Sequence, residues 1–369
     1  MAVSSVVEQR EGAPSRRERE ERSNALLRET FDMVKDLMSP RSAIYWADLG
    51  LTGLLGYGGF AVLATATSPW IMTVAFVASV LALYRGVSFI HELTHIRSGS
   101  VPGFFWGWNG IIGVPLLVPS FMYDGVHQLH HAKTRYGTAE DPEYLPLAWR
   151  SPLYLVWFLA HSVLAPVAVV VRFGLLTPIS LVVPAVRRFN IERASSLLIN
   201  PAFRRKPPRP QDVRTWWILE LACFAWVWTF IGLTIGGVIS GRTALLAVAT
   251  AAAVAMVNQL RTLAAHLWDN EHGEEMTIEE QLLDSVNVPG FSPWASLWAP
   301  VGLRYHALHH LLPGLPYHNL GPAHRRLAGI IPGASSYRRT FYDGLMHVLG
   351  ILFRKSAERT RARKRRALV

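Results

Sequence analysis

Apolar residues in this chain fall into long blocks, not into the alternating or every-third-or-fourth spacing of a soluble fold. Residues 45–67 form one block and 70–90 the next, with only Ser68-Pro69 at the break. A helix needs about 20 predominantly apolar residues to cross a bilayer. Two such blocks with almost no connection predict a transmembrane helical hairpin. Residues 216–239 and 243–266 predict a second, turned at Ser240-Gly241-Arg242. The apolar part of its last helix fades near Val257, so helix is expected to continue past the bilayer.

Two other stretches are interrupted. Residues 104–119 are too short to span and contain Gly107, Gly110, Gly113 and Pro115, which fits a re-entrant or interfacial segment. Residues 154–186 are long enough, but Pro166, Pro178 and Pro184 break them. They predict an interfacial helix pair or a third hairpin, with an even number of crossings. The expected fold is all-α and integral to the membrane: two hairpins, about four spans, under a helical cap. The expected divisions are a charged N-terminal segment over 1–44, a membrane domain over 45–330 and a basic tail over 331–369.

Composition agrees. Half of the residues are hydrophobic and 17% are charged, against about 25% in soluble domains. Many of the 13 Trp lie at block edges, as interfacial residues do. Charge then orients the hairpins. Their turns carry one basic residue, Arg242. Arg10, Arg16, Arg17, Arg19, Arg22, Arg28, Lys35 and Arg41 precede the first helix, and eight more, from Arg187 to Arg214, precede the third. The chain ends in a further basic cluster. The bias of positive charge toward the cytoplasm predicts both termini and the polar cap on that side of a cytoplasmic membrane. The net charge of +11 is read as charge facing anionic lipid, since no nucleic-acid recognition motif is present. No signal peptide is expected, because residues 8–36 are charged with both signs. A single cysteine, Cys223, excludes an intrachain disulfide and a cysteine-held iron–sulfur cluster.

The candidate chemistry lies at the ends of these blocks. Nine of the 14 histidines form three boxes and a singleton: His91-Glu-Leu-Thr-His95, His127-Gln-Leu-His130-His131, His306-Ala-Leu-His309-His310, and His266. On a helix, residues four apart lie about 40° from each other, so His91 and His95 share a face. The rings of each HxxHH box fan over about 100°, enough to chelate or to bridge. Imidazole is the commonest metal ligand among side chains. Two metal ions at a membrane surface are therefore expected. The first box also matches the HExxH pattern of zinc proteases, but that reading leaves two boxes idle. A transporter would place such ligands near mid-membrane, whereas these lie at helix ends.

These boxes resemble those of the membrane fatty acid desaturase superfamily, which includes hydroxylases. The resemblance covers residues 45–325 and extends to Leu263-Ala-Ala-His266 and to Leu311-Leu-Pro-Gly-Leu-Pro-Tyr-His-Asn-Leu320. It implies that His91, His95, His127, His130, His131, His266, His306, His309 and His310 hold two iron ions. It implies dioxygen as co-substrate and a fatty acyl lipid or acyl thioester as substrate. The implied reaction is desaturation; the alternative is hydroxylation or ketone formation on the same scaffold. An external electron donor such as a ferredoxin is implied, because the chain has no haem, flavin or dinucleotide motif of its own. Two positions depart from relatives. The first box has the shorter HxxxH spacing, and Thr262 stands where acyl-CoA desaturases have asparagine.

Residues expected near the ligands are Glu92, Thr262, Asp269 and His318, with Asp124, Asp141 and Arg304 as further neighbours. Trp106, Trp108, Trp268, Trp294 and Trp298 are candidates for lining an acyl tunnel or for anchoring at the interface. His161 reads as structural; His272, His324 and His347 read as solvated.

Overall fold

The computed structural model describes residues 15–290, 293–333 and 335–367. Part of the expected N-terminal segment and the last two residues of the expected tail lie outside these ranges. The described residues are helical, with three isolated bridges between residues 266 and 285, 287 and 305, and 287 and 341.

Helix α1 (Arg16–Val34) starts at a reciprocal cap between Ser15 and Glu18. The first hairpin is α2 (Ser42–Thr65) and α3 (Pro69–Leu93). Pro69 opens α3, where a proline removes no needed donor. A single turn, α4 (His127–His130), follows, then a kinked helical run, α5 (Pro152–Val182). The second hairpin is α6 (Val213–Ile235) and α7 (Gly241–Leu263). The cap adds α8 (Ile278–Asp284), α9 (His306–Leu311), α10 (Tyr317–Ile330) and α11 (Leu345–Arg366).

Five helical stretches are long and apolar enough to cross a membrane: Ser42–Thr65, Pro69–Leu93, Pro152–Val182, Pro210–Ile235 and Gly241–Leu263. Large apolar side chains on them face outward; Leu54 is 70% exposed, Leu245 70% and Ile235 83%. A belt of that kind requires lipid. The hairpins stand side by side. Arg242 donates to the carbonyls of Ala64 and Ala66, both at 2.7 Å, and so ties one turn to the other. Val80, Leu83, Tyr84 and Val254 pack α3 against α7. The far ends of α3 and α7 therefore emerge together, opposite the turns and beneath the cap.

The run α5 does not behave as a fifth span. Near its start, Gln259 donates to the Phe158 carbonyl, close to the cap end of α7. It dips toward the middle of α6, where Trp228 donates to Gly174. It then returns: Thr177, and beyond α5 Arg187, meet Glu220, in the cap-side half of α6. The strands of chain on either side also meet, since Ile199 and Asn200 both donate to the Pro142 carbonyl. Both ends of α5 therefore lie toward the cap. Pro166 and Pro178 fall at starts of its sub-helices, where they are tolerated.

The glycine-rich stretch 104–119 is a second inserted segment. Trp108 donates to the Gly86 carbonyl, and Tyr57 to that of Ile111. Gly86 lets the segment approach closely: a Cβ there would lie 2.6 Å from the end of the Ile112 side chain, which would have to move.

Both terminal segments join the cap. Val34 of α1 is fully buried among Leu308, Leu311 and Leu327. Val348, Leu349 and Leu352 of α11 pack against Leu147, Leu155 and Trp268.

Glu220 is fully buried and accepts from Arg172 at 2.9 Å and Arg187 at 2.6 Å. Removing one member of a buried ion pair leaves an uncompensated charge. Glu220→Ala is therefore expected to destabilise the protein by about 3–5 kcal/mol. The check is the fraction remaining folded after heating in detergent; wild-type survival would show that Glu220 does not hold α5 to α6.

Candidate metal centre

Each box reaches the centre from a different element. His91 lies in the last turn of α3 and His95 just past its end. The second box forms α4 and the residue after it. The third opens α9. His266 lies three residues beyond α7, in a turn bridged to Ser285. That turn is strained at Trp268, a non-glycine residue at φ 59°. Trp268 is held there by its indole donating to Leu263 and its carbonyl accepting from Ala148.

All nine histidines meet. His91, His95, His127, His131 and His309 form one group; His130, His266, His306 and His310 form the other. Within each, one ring nitrogen per residue lies within 4.8 Å of the rest. The HxxHH spacing explains the division. His127 and His131, four apart, face one group, while His130 faces the other. In the third box His306 and His310 pair, and His309 crosses over. The groups adjoin, with the His131 and His310 rings stacked 4.3 Å apart.

Hydrogen bonds fix which nitrogen points inward. Nδ1 of His127 meets Glu143 at 2.8 Å and Nδ1 of His130 meets Asp141 at 2.9 Å. His266 Nδ1 donates to the Tyr136 hydroxyl at 2.8 Å, which itself donates to Asp284 at 2.8 Å. A carboxylate that accepts a hydrogen bond from Nδ1–H leaves Nε2 with its lone pair. These inward nitrogens crowd one another: Nε2 of His131 lies 3.0 Å from that of His127, and Nε2 of His266 lies 3.1 Å from that of His306. Each such pair of nitrogens must share either a proton or a cation. Nε2 of His91 and His95 are buried with no hydrogen-bond partner. A cation in each group satisfies both observations, and an all-imidazole donor set suits zinc, copper, iron or nickel.

Titration agrees with this arrangement. Burial, then the neighbouring imidazoles, hold His127, His131, His306, His309 and His310 well below the ordinary histidine value. Burial pushes His95 down to about 3. These rings are neutral, as ligation requires. His130 is the exception: burial opposes its charge, but the Asp141 carboxylate outweighs that and raises it.

The expected neighbours fare differently. Glu92 touches no imidazole; it accepts from the Tyr45 hydroxyl and, at 3.1 Å, the Tyr317 amide. It ties α2 and α3 to the loop after the third box. Thr262 donates to the Asn258 carbonyl of its own helix. Asp269 pairs with Lys355 and Arg359 of α11. His318 accepts from the Arg41 amide and meets Asn319. Asp124 accepts from Gln128, and Arg304 donates to the carbonyls of Val288 and Gly290. His324 is not solvated: it is buried, bonded to Tyr337 and stacked on Tyr305. His161 stacks on Trp157; His272 and His347 pair with surface carboxylates. Trp108 and Trp268 are buried, Trp106 and Trp294 are exposed, and Trp298 is partly buried, its carbonyl accepting from Tyr84 of α3.

Sequence reasoning named Asp141 and missed Glu143, Tyr136 and Asp284. Asp141-Pro142-Glu143, shortly after the second box, was an available signal. Asp284 had none, because only the bridge between residues 266 and 285 brings it to His266.

Comparison with known proteins defines the class. The sequence pattern of the fatty acid desaturase family matches residues 67–342, and the chain belongs to that family. It is an oxidoreductase of the desaturase and hydroxylase superfamily. The chain is also similar to "Ceramide hydroxylase" of Caulobacter vibrioides (strain NA1000 / CB15N). The two are 49% identical over 335 residues, 90% of this chain and 94% of that protein. That relative stands with the hydroxylase alternative and not with the desaturation expected from the boxes. No solved structure matches the chain.

Loss of a carboxylate that orients a ligand histidine weakens metal binding about 10–100-fold. Asp141→Asn is expected to do so, measured as metal per chain after dialysis. Glu92→Gln is expected to retain wild-type metal. Equal metal in both proteins would refute the orienting role of Asp141.

Proposed function

We propose that this protein hydroxylates a ceramide-type lipid within the membrane, using dioxygen, two irons and electrons from a separate reductant. The observation that supports this most is the 49% identity to a ceramide hydroxylase, sustained over nine-tenths of the chain. The site is compatible in kind. Two adjoining imidazole groups lie just beyond the membrane helices, at the depth where an embedded lipid presents its upper carbons.

The balance of the reaction is simple. A carbon–hydrogen bond and dioxygen, with two electrons and two protons, give an alcohol and water. Two bound irons would supply activation of dioxygen. The chain's own part is to hold them and control their surroundings. His91, His95, His127, His131 and His309 would hold one ion; His130, His266, His306 and His310 would hold the other. Glu143, Asp141 and Asp284, through Tyr136 for the last, hold the Nδ1 protons outward. Burial of the rings excludes bulk water, which would compete for open positions. The basic flanks support a cytoplasmic orientation for the site and both termini. There an acidic carrier such as a ferredoxin is the natural electron donor.

Expression in a ceramide-producing bacterium is expected to yield ceramide carrying one added oxygen, read by mass spectrometry of extracted lipid. The product should vanish in His309→Ala while that protein remains in the membrane fraction. Ceramide or fatty acyl chains lacking two hydrogens, with no oxygen gained, would replace hydroxylation by desaturation.

A further inference from the structure

A cleft of about 320 Å³ lies where α5 leaves the cap, away from the histidines, between the Trp149–Tyr154 turn and the last turns of α11. Its walls include Trp149, Arg150, Ser151, Tyr154, Arg363 and Lys364. The cationic groups differ in how they are matched. Arg363 pairs with Glu271 at 3.1 Å. Arg359, against the Trp149 ring, pairs with Asp269, as does Lys355. The nearby carboxylates are thus already engaged. Arg150 and Lys364 are exposed and form no ion pair among the described residues. Arg150 sits over the Tyr154 ring at 5.4 Å, which limits its freedom.

Two further features point to an anion. Pro152 begins the first, nine-residue part of α5, after the Ser151 cap. The positive end of its dipole therefore lies at the cleft. Immediately beyond, Leu153, Val156 and Trp157 are 77%, 51% and 58% exposed. Cations, interfacial aromatics and a helix start thus adjoin a bare apolar helix face. A phosphate could bind the first part, but only a molecule with apolar tails would also cover the second.

We propose that this cleft binds the phosphate headgroup of an anionic phospholipid, whose acyl chains lie along the outer face of α5. The site would anchor α11 and α5 to the membrane surface, separately from the reaction at the histidines. Each basic residue beside an anionic headgroup contributes on the order of five-fold in affinity, so the Arg150 and Lys364 pair contributes about 25-fold.

The test is native mass spectrometry of the full chain in neutral detergent, titrated with phosphatidylglycerol and separately with phosphatidylcholine. Wild type is expected to retain phosphatidylglycerol preferentially. Arg150→Gln with Lys364→Gln should weaken that retention about 25-fold. Arg361→Gln with Arg365→Gln, which removes equal charge outside the cleft, should leave it unchanged. An unaltered thermal midpoint shows that each variant is folded. Equal weakening by both pairs would overturn the proposal in favour of diffuse attraction. Displacement of phosphatidylglycerol by inorganic phosphate alone would overturn the lipid as the ligand.

Discussion

A neutral imidazole carries its proton on one nitrogen and a lone pair on the other, and a hydrogen-bond acceptor behind the ring decides which of the two faces inward. The centre of this protein depends on that constraint. Asp141, Glu143 and the Tyr136–Asp284 pair accept from the outer nitrogens of His130, His127 and His266. Their inner nitrogens keep lone pairs, and those of His127 and His266 face Nε2 of His131 and His306 at 3.0 and 3.1 Å. A shared proton or a bound cation satisfies each of these pairs. The cap exists, in physical terms, to bring those carboxylates behind those rings.

The membrane imposes the second constraint. Backbone groups in hydrocarbon must find partners within the protein. Four spans meet this as helices. The two inserted segments meet it differently, by leaning on the hairpins. Residues 104–119 use Trp108 and Tyr57 to reach backbone carbonyls. Helix α5 uses the buried Arg172–Glu220–Arg187 cluster. Both segments return to the side they came from, so the second histidine box stays level with the first and third.

Function is less tightly determined than the site. Both desaturation and hydroxylation begin by removing hydrogen from an unactivated carbon, and one ligand set serves both. Nine histidines therefore do not choose between them. The relative named for ceramide hydroxylation stands with the second.

The sequence by itself determined the spans, the hairpin turns and the nine histidines. Block length and short-range spacing are local properties, and a bilayer reads them directly. It also carried the division of labour within HxxHH, since residues three and four apart on one turn face different ways. What surrounds the rings was decided only by the tertiary structure. Glu92 sits beside a box histidine in sequence yet bonds to Tyr45 and Tyr317. Asp284 is 18 residues from His266, yet stands behind its ring. Asp269 and His318, adjacent by number, turn to α11 and to Arg41. A carboxylate's partner depends on which elements cross above it. That crossing was set by how two hairpins, joined through Arg242 at one end, present their other ends to the cap.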